Sequence, residues 1–121
     1  MVIPQHGDRI LIFKEPWLKL ILKGEKKMEI RNKGLTGSWW LGCKGEIRGK
    51  AIFGQPVMIP DQETWLSLRS QHLVETEDPP YGARTRGLPV LEVRKVKAVK
   101  YLHKKGAVGI VRFCAPEAPE P

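Results

Sequence analysis

Gly24-Glu25-Lys26-Lys27-Met28-Glu29-Ile30-Arg31 is the stretch whose reading decides the fold. Gly24 follows the helix-spaced apolar run Trp17, Leu18, Ile21 and Leu22, and a glycine there suits the left-handed position just past a helix C-terminus. Met28 to Arg31 then alternates apolar and polar with the period of a strand. Glu29 and Arg31 therefore project from one face of a sheet, and Lys26 arrives beside them from the turn. A short helix feeding a strand, with these charges gathered at the joint, marks Lys26, Glu29 and Arg31 as the first candidate site.

Upstream of the joint, Arg9 to Phe13 reads as a buried strand, and Pro16 suits the first turn of the helix. Trp17 is expected to anchor the core. Downstream, Ser38 to Cys43 is a second strand: Trp39, Leu41 and Cys43 enter a core while Trp40 faces the other way, which makes Trp40 a candidate stacking platform. Glu46 to Phe53 alternates most cleanly, with Ile47, Ala51 and Phe53 on one face and Glu46, Arg48 and Lys50 on the other. Val57, Met58 and Ile59 are expected to extend it past a kink. Asp61 caps a second helix that carries Trp65, Leu68 and His72 along one side. From Glu75 to Gly87 there is no periodicity and several breakers, hence a long loop.

In the last third the apolar phase changes. Leu91 and Val93 carry it first and Val96, Ala98 and Leu102 later, so the register slips near Arg94-Lys95 through a bulge or turn. After the slip Lys95, Lys97, Tyr101 and His103 share one face with Val99. Such a strand can hold a phosphate backbone and stack a base; the plainer alternative is an edge strand kept soluble by its lysines. Val108, Ile110 and Val111 are expected to close the core. Two short helices among five or more short, mostly antiparallel strands predict an α+β domain with a strongly curved or barrel-like sheet. Residues 1–8 are a lead-in, 9–114 a single domain, and 115–121 an acidic, proline-rich tail expected to be disordered.

Composition narrows the partners. The 121 residues carry 21 Lys and Arg against 13 Asp and Glu, a net charge of +8. Glu117 and Glu120 lie in the tail, so the remaining 11 acids leave +10 for residues 1–114. That excess favours a polyanionic partner, nucleic acid first. No apolar run approaches the roughly 18 residues that span a bilayer, and the N-terminus has no secretory pattern, so the expected setting is intracellular, away from membranes. Cys43 and Cys114 stand apart, and His6, His72 and His103 show no ligand spacing. Reduced thiols, no metal and no cofactor are expected.

With Lys26, Glu29 and Arg31 at a helix-to-strand joint, the chain resembles the ASCH family, whose fold is PUA-like and whose signature is Gly-x-Lys-x-x-Glu-x-Arg after a short helix. Gly24, Lys26, Glu29 and Arg31 fill every fixed place. The lead-in Pro16-Trp17-Leu18 with Ile21-Leu22 looks like the helix before that motif, and Tyr101-x-His103-Lys104-x-Gly106 resembles a loop of some members. The resemblance covers residues 9 to 114. It implies a PUA-like β-pseudo-barrel, a cleft lined by the motif, and a role in binding RNA or a modified nucleoside. Some relatives hydrolyse an acetyl amide on a cytidine base with the motif lysine, a threonine where this chain has Glu29, and a later acid, for which Glu63, Glu75 and Glu77 all remain open here. Others have been proposed to cut RNA, or act in transcription-related assemblies.

Three functions follow as expectations. As an RNA-binding domain, the chain would use Lys26, Arg31, Trp40, Lys97, Tyr101, His103 and Lys104 around a basic cleft, with Arg31 forking onto phosphate or a base edge. As a hydrolase of a modified nucleoside amide or of RNA, it would use Lys26 as base or nucleophile, Glu29 as proton shuttle and Arg31 as oxyanion partner. Glu29 beside Lys26 favours the charged lysine and opposes that activation. As a protein-interaction module it would use the loop from Glu75 to Gly87. The bland alternative for the cluster is an ion-pair chain that fixes the turn, at roughly 0.2 to 1 kcal/mol per pair.

Overall fold

The chain runs β1 (Arg9–Ile12), α1 (Trp17–Leu22), β2 (Met28–Arg31), β3 (Gly37–Cys43), β4 (Glu46–Phe53), β5 (Val57–Met58), α2 (Gln62–Ser67), α3 (Arg69–His72), a 3-10 turn at Gly82–Arg84, β6 (Arg86–Lys100) and β7 (Ile110–Arg112). The computed structural model describes residues 3–103 and 109–116. Lys104, Val108 and residues 117–121 of the expected tail lie outside the described residues. The strands form one mixed, curled half-barrel sheet in the order β2-β6-β4-β3-β1-β7, with β5 on β6. Only β1 with β3 is parallel among the described pairings. This is the α+β, PUA-like pseudo-barrel expected.

The helix-to-strand joint forms as its sequence dictates. Gly24 has φ +78°. Its N–H reaches the Ile21 carbonyl and the Glu25 N–H reaches that of Leu20, both at 3.0 Å. These are the two bonds of a Schellman cap, and they satisfy carbonyls that the short helix would otherwise leave open. Asp61 caps α2 by accepting the Thr64 N–H at 2.9 Å. The second helix is not continuous, however: it breaks at Leu68, and α3 ends at Leu73 with φ 64°.

Register shifts on β4 and β6 reshape the sheet. Leu41 pairs with Gly49 but Gly42 with Ile47, which leaves Arg48 as the extra residue. The face of β4 therefore switches there. Ala51 and Phe53 pack in a first core with Leu11, Phe13, Leu18, Ile21 and Trp39, whereas Ile47 joins a second with Ile10, Trp40, Tyr101 and Phe113. The single apolar face expected for Ile47, Ala51 and Phe53 is thus divided. On β6 the register slips at Leu91 and again after Lys95. Leu91 consequently points outward, 64% exposed, rather than into the core. Ile110, expected to help close the core, is also exposed.

β5 is a separate strand on Arg86 and Gly87 of β6 rather than an extension of β4. Pro56, which has no N–H to donate, stands between the two. The expected loop ends in the 3-10 turn and gives way to strand at Arg86. A third core of Met28, Ile30, Ile59 and Trp65 covers the other side of β2. Trp17 packs against the first core from α1. Cys43 and Cys114 are free thiols. Among the described residues no helix is long and apolar enough to cross a membrane, and no group of His, Cys, Asp and Glu could hold a metal.

Candidate functional site

The motif residues do converge, but inward. Lys26 is 1% exposed and Glu29 6%. The Lys26 ammonium donates to the His72 carbonyl, lies 3.9 Å from Glu29 Oε1 and sits 4.8 Å from the Trp17 ring centre. Glu29 Oε2 accepts from Arg31 Nε at 2.8 Å, and Arg31 Nη2 donates to the Ile12 carbonyl at 2.7 Å. The Arg31 guanidinium also rests 4.9 Å from the Phe13 ring centre. Each charge therefore has a partner: two cations share one carboxylate, and backbone carbonyls from β1 and α3 take the surplus N–H groups. The cluster ties four elements together.

Burial holds the Lys26 ammonium well below its ordinary range, at about 8, with Glu29 pulling the other way and Arg31 reinforcing the drop. Glu29 opposes the drop, as expected from the sequence, but desolvation outweighs a single carboxylate 3.9 Å away. His72 is 0% exposed and its ring is stacked on Trp65 at 3.8 Å between centres. His72 Nε2 faces the Trp65 carbonyl at 2.9 Å, and Nδ1 accepts the Val74 N–H at 2.9 Å. Those partners require the neutral ring with its proton on Nε2. Burial lowers the His72 pKa accordingly.

The aromatic residues expected beside the motif belong elsewhere. Trp40 is 3% exposed in the second core, with its Nε1 donating to Asp8 Oδ2 at 3.1 Å and the Lys50 ammonium 4.6 Å from its ring centre. It offers no open face for stacking a base, because core packing and the Lys50 side chain over its ring leave it almost fully buried. Tyr101 is likewise buried at 3% in that core, and burial raises its pKa. Lys97 is exposed, so it does not share the inward environment of Tyr101. His103 is exposed, edge-on to Tyr101 at 5.9 Å, and lies against Gly45, where there is no room for a Cβ. Thus Lys26, Glu29 and Arg31 pack against residues of the first core, whereas Trp40 and Tyr101 sit in the second.

Open space lies on a different part of the molecule. A groove of about 430 Å³ is lined by Ser38, Lys50, Ile52, Glu92 and Arg94, and a pocket of about 250 Å³ adjoins it through Ser38 and Lys50. Lys50 and Arg94 are direct cross-strand partners of β4 and β6. Arg9 and Arg112, which line the pocket, are direct partners of β1 and β7. Among the described residues none of these four cations has a carboxylate oxygen within 4.0 Å. Strand alternation places Lys50 on a polar face, but only the sheet order brings it to Arg94, so the pairs are invisible to a linear reading.

No protein-family model matches the chain, and no curated protein sequence matches it. Among solved structures it is similar to the crystal structure of the ZmASCH S128A mutant protein from Zymomonas mobilis, with a TM-score of 0.70 over 93% of this chain and 92% of that one at 12% sequence identity. The chain has an ASCH-like fold.

Proposed function

We propose that this ASCH-type domain binds RNA through the open groove that crosses β3, β4 and β6, with the Lys26–Glu29–Arg31 cluster acting as the internal brace of the fold. The observation that carries this reading is the Lys50–Arg94 pair. Like charges directly opposite each other on neighbouring strands are destabilising. Where β6 meets β2 the chain compensates for one such opposition. Arg31 opposite Arg86 is neutralised by Glu29, and Lys100 faces Glu46. Lys50 and Arg94 lack any such partner within 4.0 Å among the described residues, although Glu92 lines the same groove. A phosphate backbone supplies the missing charge. Lys95, Lys97 and Lys100, further along β6, are exposed and add to the positive charge of that strand. Single-stranded RNA at low salt is the probe. Arg94→Ala is expected to weaken binding and to reduce the slope of log affinity against log salt by about 0.7 for each phosphate it no longer neutralises. Binding indifferent to both salt and the substitution would refute the reading.

A second reading, a hydrolase acting on a modified nucleoside amide or on RNA, is favoured by one observation: Lys26 is brought to about 8 by burial, close to where a general base works. It requires the buried ammonium to become accessible to substrate. Prolonged incubation with a panel of acylated nucleosides and with RNA tests it, and product formation abolished by Lys26→Ala is the result it needs.

A further inference from the structure

We propose that the pocket between the start of β1 and the end of β7 is a terminal-phosphate subsite, in which Arg9, Lys50 and Arg112 receive the phosphomonoester at the end of an RNA strand lying in the adjoining groove. The proposal rests on the RNA-binding reading above and names the part of the strand that this pocket recognises. Its starting point is the direct opposition of Arg9 and Arg112 across β1 and β7. Two guanidinium groups on facing strands repel, and no carboxylate within 4.0 Å relieves either among the described residues.

Both arginines are held in place by backbone. Arg9 Nη2 donates to the Ser38 carbonyl at 2.9 Å, and its guanidinium lies 4.1 Å over the Trp39 ring. Arg112 Nη1 donates to the Gly7 carbonyl at 3.2 Å. Each side chain carries five N–H donors, so these bonds leave others free to fork onto phosphate oxygens. Because the heads are already anchored, little side-chain freedom is lost when an anion arrives. Lys50 adds a point charge over Trp40, the buried inner wall of the pocket.

Charge and size select the group. Asp8 also lines the pocket, and its Oδ2 accepts from the Gln5 N–H at 2.8 Å and from Trp40 Nε1 at 3.1 Å. Those bonds hold its carboxyl below the usual range, so it stays ionised. Three cations against one carboxylate leave two positive charges in the pocket. A phosphomonoester carries about −1.5 to −2 at neutral pH, which matches them better than the single charge of a backbone diester. The volume of about 250 Å³ is below the roughly 300 to 1,000 Å³ of pockets that enclose whole small molecules. A phosphate with part of its sugar fits, and the rest of the strand continues past Lys50 and Ser38 into the larger groove.

The test uses one short single-stranded RNA in three forms, with a 5′-phosphate, with a 3′-phosphate, and with hydroxyls at both ends. In parallel, the Trp40 indole N–H resonance is followed during titration with a nucleoside monophosphate and with the bare nucleoside. One phosphorylated RNA is expected to bind about tenfold more tightly than the hydroxyl-ended form, the scale of one or two charge-assisted hydrogen bonds. Arg112→Ala should erase that difference, so that the phosphorylated and the hydroxyl-ended RNA bind the variant equally. The monophosphate, and not the nucleoside, should shift the Trp40 resonance. Should Arg112→Ala not fold, Arg112→Lys, which keeps the charge and loses the fork, is expected to reduce the gain. Equal affinity for all three RNAs overturns the subsite while leaving RNA binding intact. Failure of every RNA to bind overturns the RNA reading and the proposal together, whatever the monophosphate does.

Discussion

The Lys26 ammonium donates to the carbonyl of His72, so a side chain from the α1–β2 joint closes the end of α3. The same ammonium stands 3.9 Å from Glu29, which is itself held by Arg31 at 2.8 Å. Replacing Lys26 by methionine keeps most of the volume but strips the His72 carbonyl of its donor. Leaving a buried acceptor unsatisfied costs about 1 to 3 kcal/mol. Lys26→Met is therefore expected to unfold in urea at a lower midpoint with an unchanged slope, and Lys26→Ala, which also opens a cavity, at a lower midpoint still. Unchanged midpoints in both would mean that the brace carries no stability.

The pH dependence of stability follows from the same residue. Lys26 titrates near 8 in the folded protein and at about 10.5 when unfolded. Between those values the unfolded chain binds more protons, so stability rises with pH through this window, by up to about 3 kcal/mol if the whole difference is realised. Below pH 8 both states carry the proton and the contribution is constant. Tyr101 acts in the opposite direction: its raised pKa means that the unfolded state loses its proton first, and stability falls above about pH 10. Urea titrations of the native protein should show increasing stability from pH 8 to 10, and the increase should be absent in Lys26→Met.

At the acid end His72 takes over. Its Nδ1 accepts from the Val74 N–H, and a protonated ring would turn that acceptor into a second donor. The depressed pKa means that the unfolded state protonates first as pH falls, so stability is lost below about 6.5. The imidazole resonances of His72 should titrate at a lower pH than those of a free histidine, and His72→Gln should flatten the stability profile below about pH 6.5.

The joint at Gly24 was legible because a helix stop and a period-2 run are local signals, and β4 was legible to its end residues for the same reason. The bulge at Arg48 was not, because alternation continues unbroken through it and only the partner strand reveals the switch of face. Trp40 illustrates a second gap. Alternation correctly puts it opposite Trp39, but it says nothing about whether the opposite face is open, and curling of the sheet has given that face a core of its own. Burial of a lysine escaped the sequence altogether, since Lys26 looks like any turn cation until α3 folds over it. The cationic pairs at Lys50–Arg94 and Arg9–Arg112 depend on sheet order, which no local pattern encodes.

The Lys50–Arg94 pair separates stability from binding. If an anion normally relieves the repulsion, supplying one within the protein should stabilise the free domain and block its ligand. Arg94→Glu pairs Lys50 with a carboxylate directly across β4 and β6, where an opposite-charge pair is worth roughly 0.2 to 1 kcal/mol. The variant is expected to unfold at a higher urea concentration than the native protein at low salt, and the gain should shrink as salt rises. Its affinity for single-stranded RNA should fall by more than that of Arg94→Ala, because a carboxylate repels the backbone as well as removing a cation. A control at Leu91→Glu, exposed on the same strand but outside the lining of either pocket, should leave the stability nearly unchanged. A variant that is more stable yet binds RNA as the native protein does would remove Lys50 and Arg94 from the binding surface.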